Sequence, residues 1–255
     1  MSTKSFDRFL MLAAFVCLVT SAPAQDTALE KREDAPPPAS ASKDSGAKEA
    51  APVSIPLEIT IDTAEAPEMA EWAARAKELC LMNYAMILGH LGAEGFSPPD
   101  KVRIVFRNMR GVAHASGRTI TCAAAWFKEH PDDYGAVIHE LCHVAQSYRS
   151  RVPSWVTEGI ADYVRWFHYE PPDKRPKVNP RRAKHTDSYR TTAAFFDWIV
   201  RNKDKTFVTR LNASCRAGKY KPELFQEYAG KMAEDLWTEF IASIEPPSGP
   251  KRARI

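Results

Sequence analysis

From residue 55 to residue 62 the chain alternates, Ile-Pro-Leu-Glu-Ile-Thr-Ile-Asp, and apolar side chains at every second position predict a half-buried strand. The period then changes. Between Glu65 and Leu91, Met69, Trp72, Ala73, Ala76, Leu79, Cys80, Tyr84 and Leu88 recur at helical spacing, which predicts a long amphipathic helix whose apolar face is core. The stretch 92–99, from Gly92 to Pro99, breaks it. Lys101 to Arg107 returns to alternation, with Val102, Ile104 and Phe106 on one side of a second strand. Met109 to Ser116 reads either as a third strand or as an extended loop, and Arg118 to Ala123 as a fourth. From there helical spacing dominates. Tyr134 to Gln146 carries Val137, Ile138, Leu141, Val144 and Ala145 on one face, and another helix begins near Pro153, with Ser154 as its N-cap. After a proline-rich loop come a helix over Thr191–Asn202, helical packing from Phe207 to Leu211, and two closing helices over 223–228 and 232–244. Strands first and helices later predict an α+β fold. A small mixed sheet packs on a helical lobe, with a cleft between them.

The Tyr134–Gln146 helix contains His139-Glu-Leu-Cys-His143. Residues four apart leave one helix face about a turn apart, so both imidazoles can hold one cation. Glu140 sits beside that position, where a carboxylate can take a proton from an attacking water. A third protein ligand is needed, with the fourth position left to water whose pKa zinc lowers toward about 7. Glu158 on the next helix is the natural supplier, and Asp162 shares its face at i+4. One carboxylate then binds the metal while the other, Asp162, holds His139 through its ring N–H. Cys142 points away from the two histidines and is not a ligand. The expected chemistry is zinc-dependent hydrolysis, with a peptide or protein as substrate. An oxyanion forming at the carbonyl needs an electrophile besides zinc. Tyr189 is the first candidate, unless it only caps or packs a helix; Tyr163 and His114 stand behind it.

His139-Glu-x-x-His143 followed by Glu158-x-x-x-Asp162 looks like the thermolysin-type gluzincins. More closely, His139–Gln146 together with Glu158-Gly-Ile-Ala-Asp-Tyr-Val-Arg165 resembles the plant basic secretory protein family and its bacterial relatives. The similarity runs upstream through Val102–Gly117 and Ile120–Phe127 and downstream to Tyr189–Phe196, within a span from Ile55 to Ile244. The resemblance implies a secreted protein with a zincin-like, metallopeptidase-type site. It also implies that the strand before the motif helix edges the cleft. Ala123, Ala124 and Ala125 would then offer backbone groups to an extended substrate, unless these small residues simply pack under a helix.

Composition adds the compartment. Lys4 and Arg8 precede an apolar run from Phe9 to Val19 and small residues at Ala22-Pro-Ala24, so residues 1–24 read as an export signal and the protein as secreted or periplasmic. The run is too short for comfortable membrane insertion. Residues 25–53, with Pro36-Pro-Pro38 and few large apolar residues, read as a disordered linker. Residues 54–245 form the zincin-like domain, and 246–255 a disordered basic tail. A net charge of only +3 argues against a nucleic-acid partner. The local cluster Lys174, Arg175, Lys177, Arg181, Arg182 and Lys184 either rims the cleft and favours acidic substrates or keeps a loop solvated. Cys80, Cys122, Cys142 and Cys215 remain after signal removal, and their pairing stays open. Asn212-Ala-Ser214 matches a glycosylation acceptor. Two rivals to the peptidase keep their place: a zinc-retaining scaffold that captures peptides or glycans, and a zinc hydrolase of an ester or cell-wall amide.

Overall fold

A computed structural model describes residues 56–244. The expected export signal, linker and basic tail lie outside the described residues. The described part is α+β. Four strands, β1 (Glu58–Asp62), β2 (Lys101–Arg107), β3 (Ala113–Ser116) and β4 (Thr119–Ala123), form one sheet in the order β1-β2-β4-β3. β1, β2 and β4 are parallel and β3 runs antiparallel to β4, so the sheet is mixed. A parallel pair needs a long crossover. Between β1 and β2 this is α1 (Ala70–Leu91), preceded by a 3-10 turn at Pro67–Met69. Ala73, Ala76, Cys80, Tyr84, Ile87, Leu88 and Leu91 of α1 are buried, as the spacing foretold.

The register sets which residues share the core. Ile59 pairs with Val102, Ile104 with Ile120 and Phe106 with Cys122, all buried in one cluster with the inner face of α1. Trp72 ties the layers together. Its ring stacks on Tyr134 at 4.5 Å and meets Phe106 edge-on at 5.7 Å, while its Nε1–H donates to Pro131 O at 2.7 Å.

The helical lobe follows: α2 (Ala124–Glu129), α3 (Tyr134–Gln146), α4 (Ser154–Val164), α5 (Tyr189–Asn202), α6 (Phe207–Arg216), α7 (Leu224–Ala229) and α8 (Ala233–Ile244). α4 does not stop at Val164 but widens into a π-helical turn over Arg165–Tyr169. α4 and α5 approach closely at Gly159. A Cβ there would sit inside van der Waals distance of Thr192 Cγ2, 2.9 Å from Thr192 Cβ and 3.1 Å from Phe196 Cε2. The glycine of the Glu-Gly-Ile-Ala-Asp run is therefore a packing requirement of this crossing.

Several expectations are corrected. Ser154 is the first residue of α4; Pro153 holds the cap position and no side chain caps the helix. α5 starts at Tyr189, two residues earlier than its apolar pattern suggests, because Ser188 turns the chain with φ +63°. Asn212 is fully buried, donates to Leu91 O at 2.8 Å and accepts from the Tyr148 hydroxyl at 2.7 Å, so it has no face for a glycan. All four cysteines in the described part are free and buried, and burial pushes each thiol up from its ordinary pKa. Among the described residues no helix is long and apolar enough to cross a membrane.

Candidate metal centre

α3 is buried along nearly its whole length, with Ala136, Val137, Ile138, Leu141, Cys142, Val144 and Ala145 in the core. Its C-terminal end is held from far along the chain. The Arg216 guanidinium donates to Gln146 O at 3.0 Å and Ala145 O at 2.9 Å, and also to Leu91 O, the last residue of α1, at 2.6 Å. One cation thus satisfies carbonyls that two helix ends leave open.

On the face of α3 toward α4, His139 and His143 meet Glu158. The two Nε2 atoms are 3.0 Å apart and Glu158 Oε2 is 3.2 Å from each. A tetrahedral zinc ion with bonds of about 2.0–2.1 Å needs ligand atoms about 3.3 Å apart, so the triangle has the right size. The Nδ1 partners favour the tautomer that a metal needs. His139 Nδ1 is 2.7 Å from Asp162 Oδ1, and an ionised carboxylate only accepts, so that nitrogen carries the proton. His143 Nδ1 is 2.7 Å from Gln146 Oε1. The Gln146 amide is oriented by its NH2 group, which donates to Thr157 O at 2.9 Å, leaving the oxygen to accept from His143. Both Nε2 atoms therefore turn lone pairs toward one point, alongside a carboxylate oxygen. Three acceptors at such separations repel unless a cation lies among them.

Without a metal, the electrostatics put a proton where the cation would go. Burial alone would discharge His139, but the Asp162 and Glu158 carboxylates outweigh it and push the ring up to about 9. Burial would likewise raise Glu158, and the two imidazoles outweigh that and hold it down to about 2. The cluster attracts positive charge, and His139, His143 and Glu158 can hold a metal ion.

The triangle opens into a cleft of about 700 Å³ between β3, α3, α4 and the start of α5. Glu140, with 8% of its surface exposed, lines it beside the histidines, and no described residue hydrogen-bonds its carboxylate. Tyr189 faces the same space, its ring 6.1 Å from that of His139 and 55% exposed. The Glu158 charge, then partial burial and the charges of Asp162 and Glu140, raise its hydroxyl pKa. Ser188 and Tyr189 both have positive φ, +63° and +46°, a conformation that costs a non-glycine residue about 1–3 kcal/mol and clusters at functional sites. His114 lines the cleft from β3, whereas Tyr163 is buried against His90 and His168 and does not.

The strand expected to edge the cleft is not an edge strand. β4 is sandwiched between β2 and β3, so its backbone groups are spent on both sides. Ala123 ends β4 and donates its N–H to Val112 O, and Ala124 and Ala125 already belong to α2. β3 is the edge strand on the cleft side of the sheet, β1 being the other edge, and Val112, Ala113, His114 and Ala115 line the cleft. Of the two readings of the basic loop, the cleft rim is not met: none of Lys174, Arg175, Lys177, Arg181, Arg182 and Lys184 lines this cleft. Gln146 was missed in the sequence, although its place three residues after His143 was a usable signal.

An α+β domain in which two helices converge His, His and Glu on one point, with a glutamate beside them, is the frame of an HExxH metal site. A family model described as BSP, peptidase of plants and bacteria, matches residues 73–240, and the chain belongs to that family. Among solved structures, a two-domain M1 zinc metallopeptidase variant bound to L-tryptophan is 15% identical, with TM-score 0.43, covering 70% of this chain and 46% of its own. The M1 zinc metallopeptidase from Deinococcus radiodurans is 16% identical, with TM-score 0.41, covering 72% and 47%. The chain spans less than half the length of these structures. No curated protein matches it at a comparable level of significance.

Proposed function

We propose that the protein is an exported zinc-dependent peptidase that hydrolyses peptide bonds in the cleft between β3 and the helical lobe. The observation that carries this reading is the triangle of His139 Nε2, His143 Nε2 and Glu158 Oε2, with the two Nδ1 atoms each 2.7 Å from a side-chain oxygen of Asp162 or Gln146. These three residues would hold zinc, which when bound supplies Lewis acidity toward a carbonyl oxygen and toward a water. The remaining chemistry belongs to the side chains. Glu140, unencumbered and facing the cleft, accepts the proton of the attacking water and passes it to the leaving amine. Tyr189 donates its hydroxyl proton in a hydrogen bond to the oxygen on which charge develops. An extended substrate pairs with the free edge of β3, where alternate side chains point into the cleft and away from it.

The test is cleavage of an unbiased peptide pool by the natural protein and by Glu140→Gln. Cutting by the former that is lost in the latter is expected. If neither cuts while both retain stoichiometric zinc, the peptidase reading fails and a binding scaffold or a non-peptide hydrolase takes its place.

A further inference from the structure

The cleft has a second chemical feature beside the metal triangle. The π-helical turn that extends α4 directs both Arg165 and Trp166 onto the cleft wall. Arg190, immediately after Tyr189, also packs against the indole. The guanidinium carbons of Arg165 and Arg190 stand 4.4 and 4.2 Å from the Trp166 ring, so one buried indole sits against two cations. The two arginines differ in what else they touch. Arg165 is largely buried and spent on Asp133 at 2.6 Å, with Glu170 at 3.6 Å. Arg190 is exposed and has no carboxylate within ion-pair distance among the described residues. Asp187, the acidic neighbour on the same loop, accepts from Lys184 N at 2.8 Å instead.

A guanidinium stacked on an indole has its plane fixed and its N–H edge free, which suits a bidentate carboxylate. Position gives the site its meaning. Tyr189, one residue earlier, stacks near His139, and Trp166 follows Asp162 by about one helical turn, about 6 Å. Arg190 therefore lines the same cleft as the metal triangle, on the wall that Tyr189 and Trp166 share.

We propose that Arg190, oriented by Trp166, is the specificity determinant of this cleft, receiving a carboxylate of the substrate whose bond is cut at the metal triangle. This inference rests on the peptidase reading for its geometry. The carboxylate belongs to an acidic side chain or to a free C-terminus, and one experiment separates the two.

Binding of fluorescein-labelled hexapeptides to the zinc-loaded, full-length Glu140→Gln protein is measured by anisotropy. The peptides carry Glu or Gln at each position in turn, each with a C-terminal carboxylate or amide. Replacing Gln by Glu at one position, or amide by carboxylate, should tighten binding about tenfold, the scale of one charge-assisted hydrogen-bonded pair. A preference for internal Glu identifies an acidic side chain; a preference only for the free terminus identifies a C-terminal carboxylate. Arg190→Ala in the same background should reduce the preference to less than twofold, and Arg190→Glu should shift it toward peptides carrying Lys. The proposal is overturned if no peptide binds, if acidic and neutral peptides bind alike, or if the preference survives Arg190→Ala. Turnover of the same peptides by the natural protein is scored separately. Acid-selective binding without any cutting would sink the peptidase reading and leave the carboxylate receptor standing.

Discussion

Gln146→Leu tests the site at the point where local sequence says least. Gln146 is 1% exposed, and its amide bridges the two ligand helices by accepting from His143 Nδ1 at 2.7 Å and donating to Thr157 O at 2.9 Å. Leucine has similar volume and helix propensity, so the core should fill and α3 should persist. Two polar atoms lose their partner. A buried N–H left without an acceptor costs about 1–3 kcal/mol. That cost is largest in the metal-loaded state, where the ring must present Nε2 and keep the proton on Nδ1; unloaded, the ring can change tautomer or reorient. Zinc affinity should therefore fall by about 10–100-fold, the range typical of removing such a partner. Competition for zinc against a chromophoric chelator reads the affinity directly, and thermal melting of the metal-free variant checks that the fold survives. A dissociation constant within twofold of the natural protein's, in a folded variant, would refute the claim that Gln146 fixes the ring.

Three further outcomes follow from the same geometry. Glu158→Ala removes one corner of the triangle, so zinc should fall well below stoichiometric occupancy by metal analysis, and full occupancy would remove Glu158 from the ligand set. Tyr189→Phe should leave zinc occupancy unchanged while lowering kcat at least tenfold, since it removes only the hydroxyl proposed to meet the oxyanion; unaltered turnover would retire that role. Gly159→Ala would stabilise an open helix by about 1 kcal/mol, but here the new methyl collides with Thr192, which cannot swing aside without losing its 2.7 Å bond to His185 O. Overpacking of about 1–3 kcal/mol should win, lowering the melting temperature by several degrees, and a rise would overturn the close-packing account.

How much of this was legible beforehand depends on how local each feature is. His139, Glu140 and His143 lie within five residues on one helix, and Glu158 and Asp162 repeat the same spacing on the next, so helical periodicity alone puts each set on one face. Element type was legible wherever apolar spacing was sustained, as in α1 and α3. It failed at Ala124 and Ala125, which follow Ala123, the last residue of β4. Alanine carries no periodic signal and is a strong helix former, so the strand ends one residue into the run and α2 begins. Strand order was not legible at all. The short β3 hairpins back onto β4 and becomes the edge, a consequence of pairing rather than of any residue type in either strand.

The features hidden from the sequence are also those that make the site precise. A histidine pair at helical spacing specifies a direction but not a distance to Glu158, and that distance is set by how α3 and α4 are held. Arg216, 70 residues beyond Gln146, pins the C-terminal end of α3 to that of α1. Gly159, one residue after the ligand Glu158, lets α4 settle against α5. Gln146 then couples His143 to the backbone of α4 at Thr157, so a shift of either helix strains the same hydrogen bonds that set the ring tautomer. On the proposed zinc site, metal affinity and helix packing would thereby be coupled through the same hydrogen bonds. Loosening the frame at Gly159 or Arg216 should weaken zinc binding without touching a ligand.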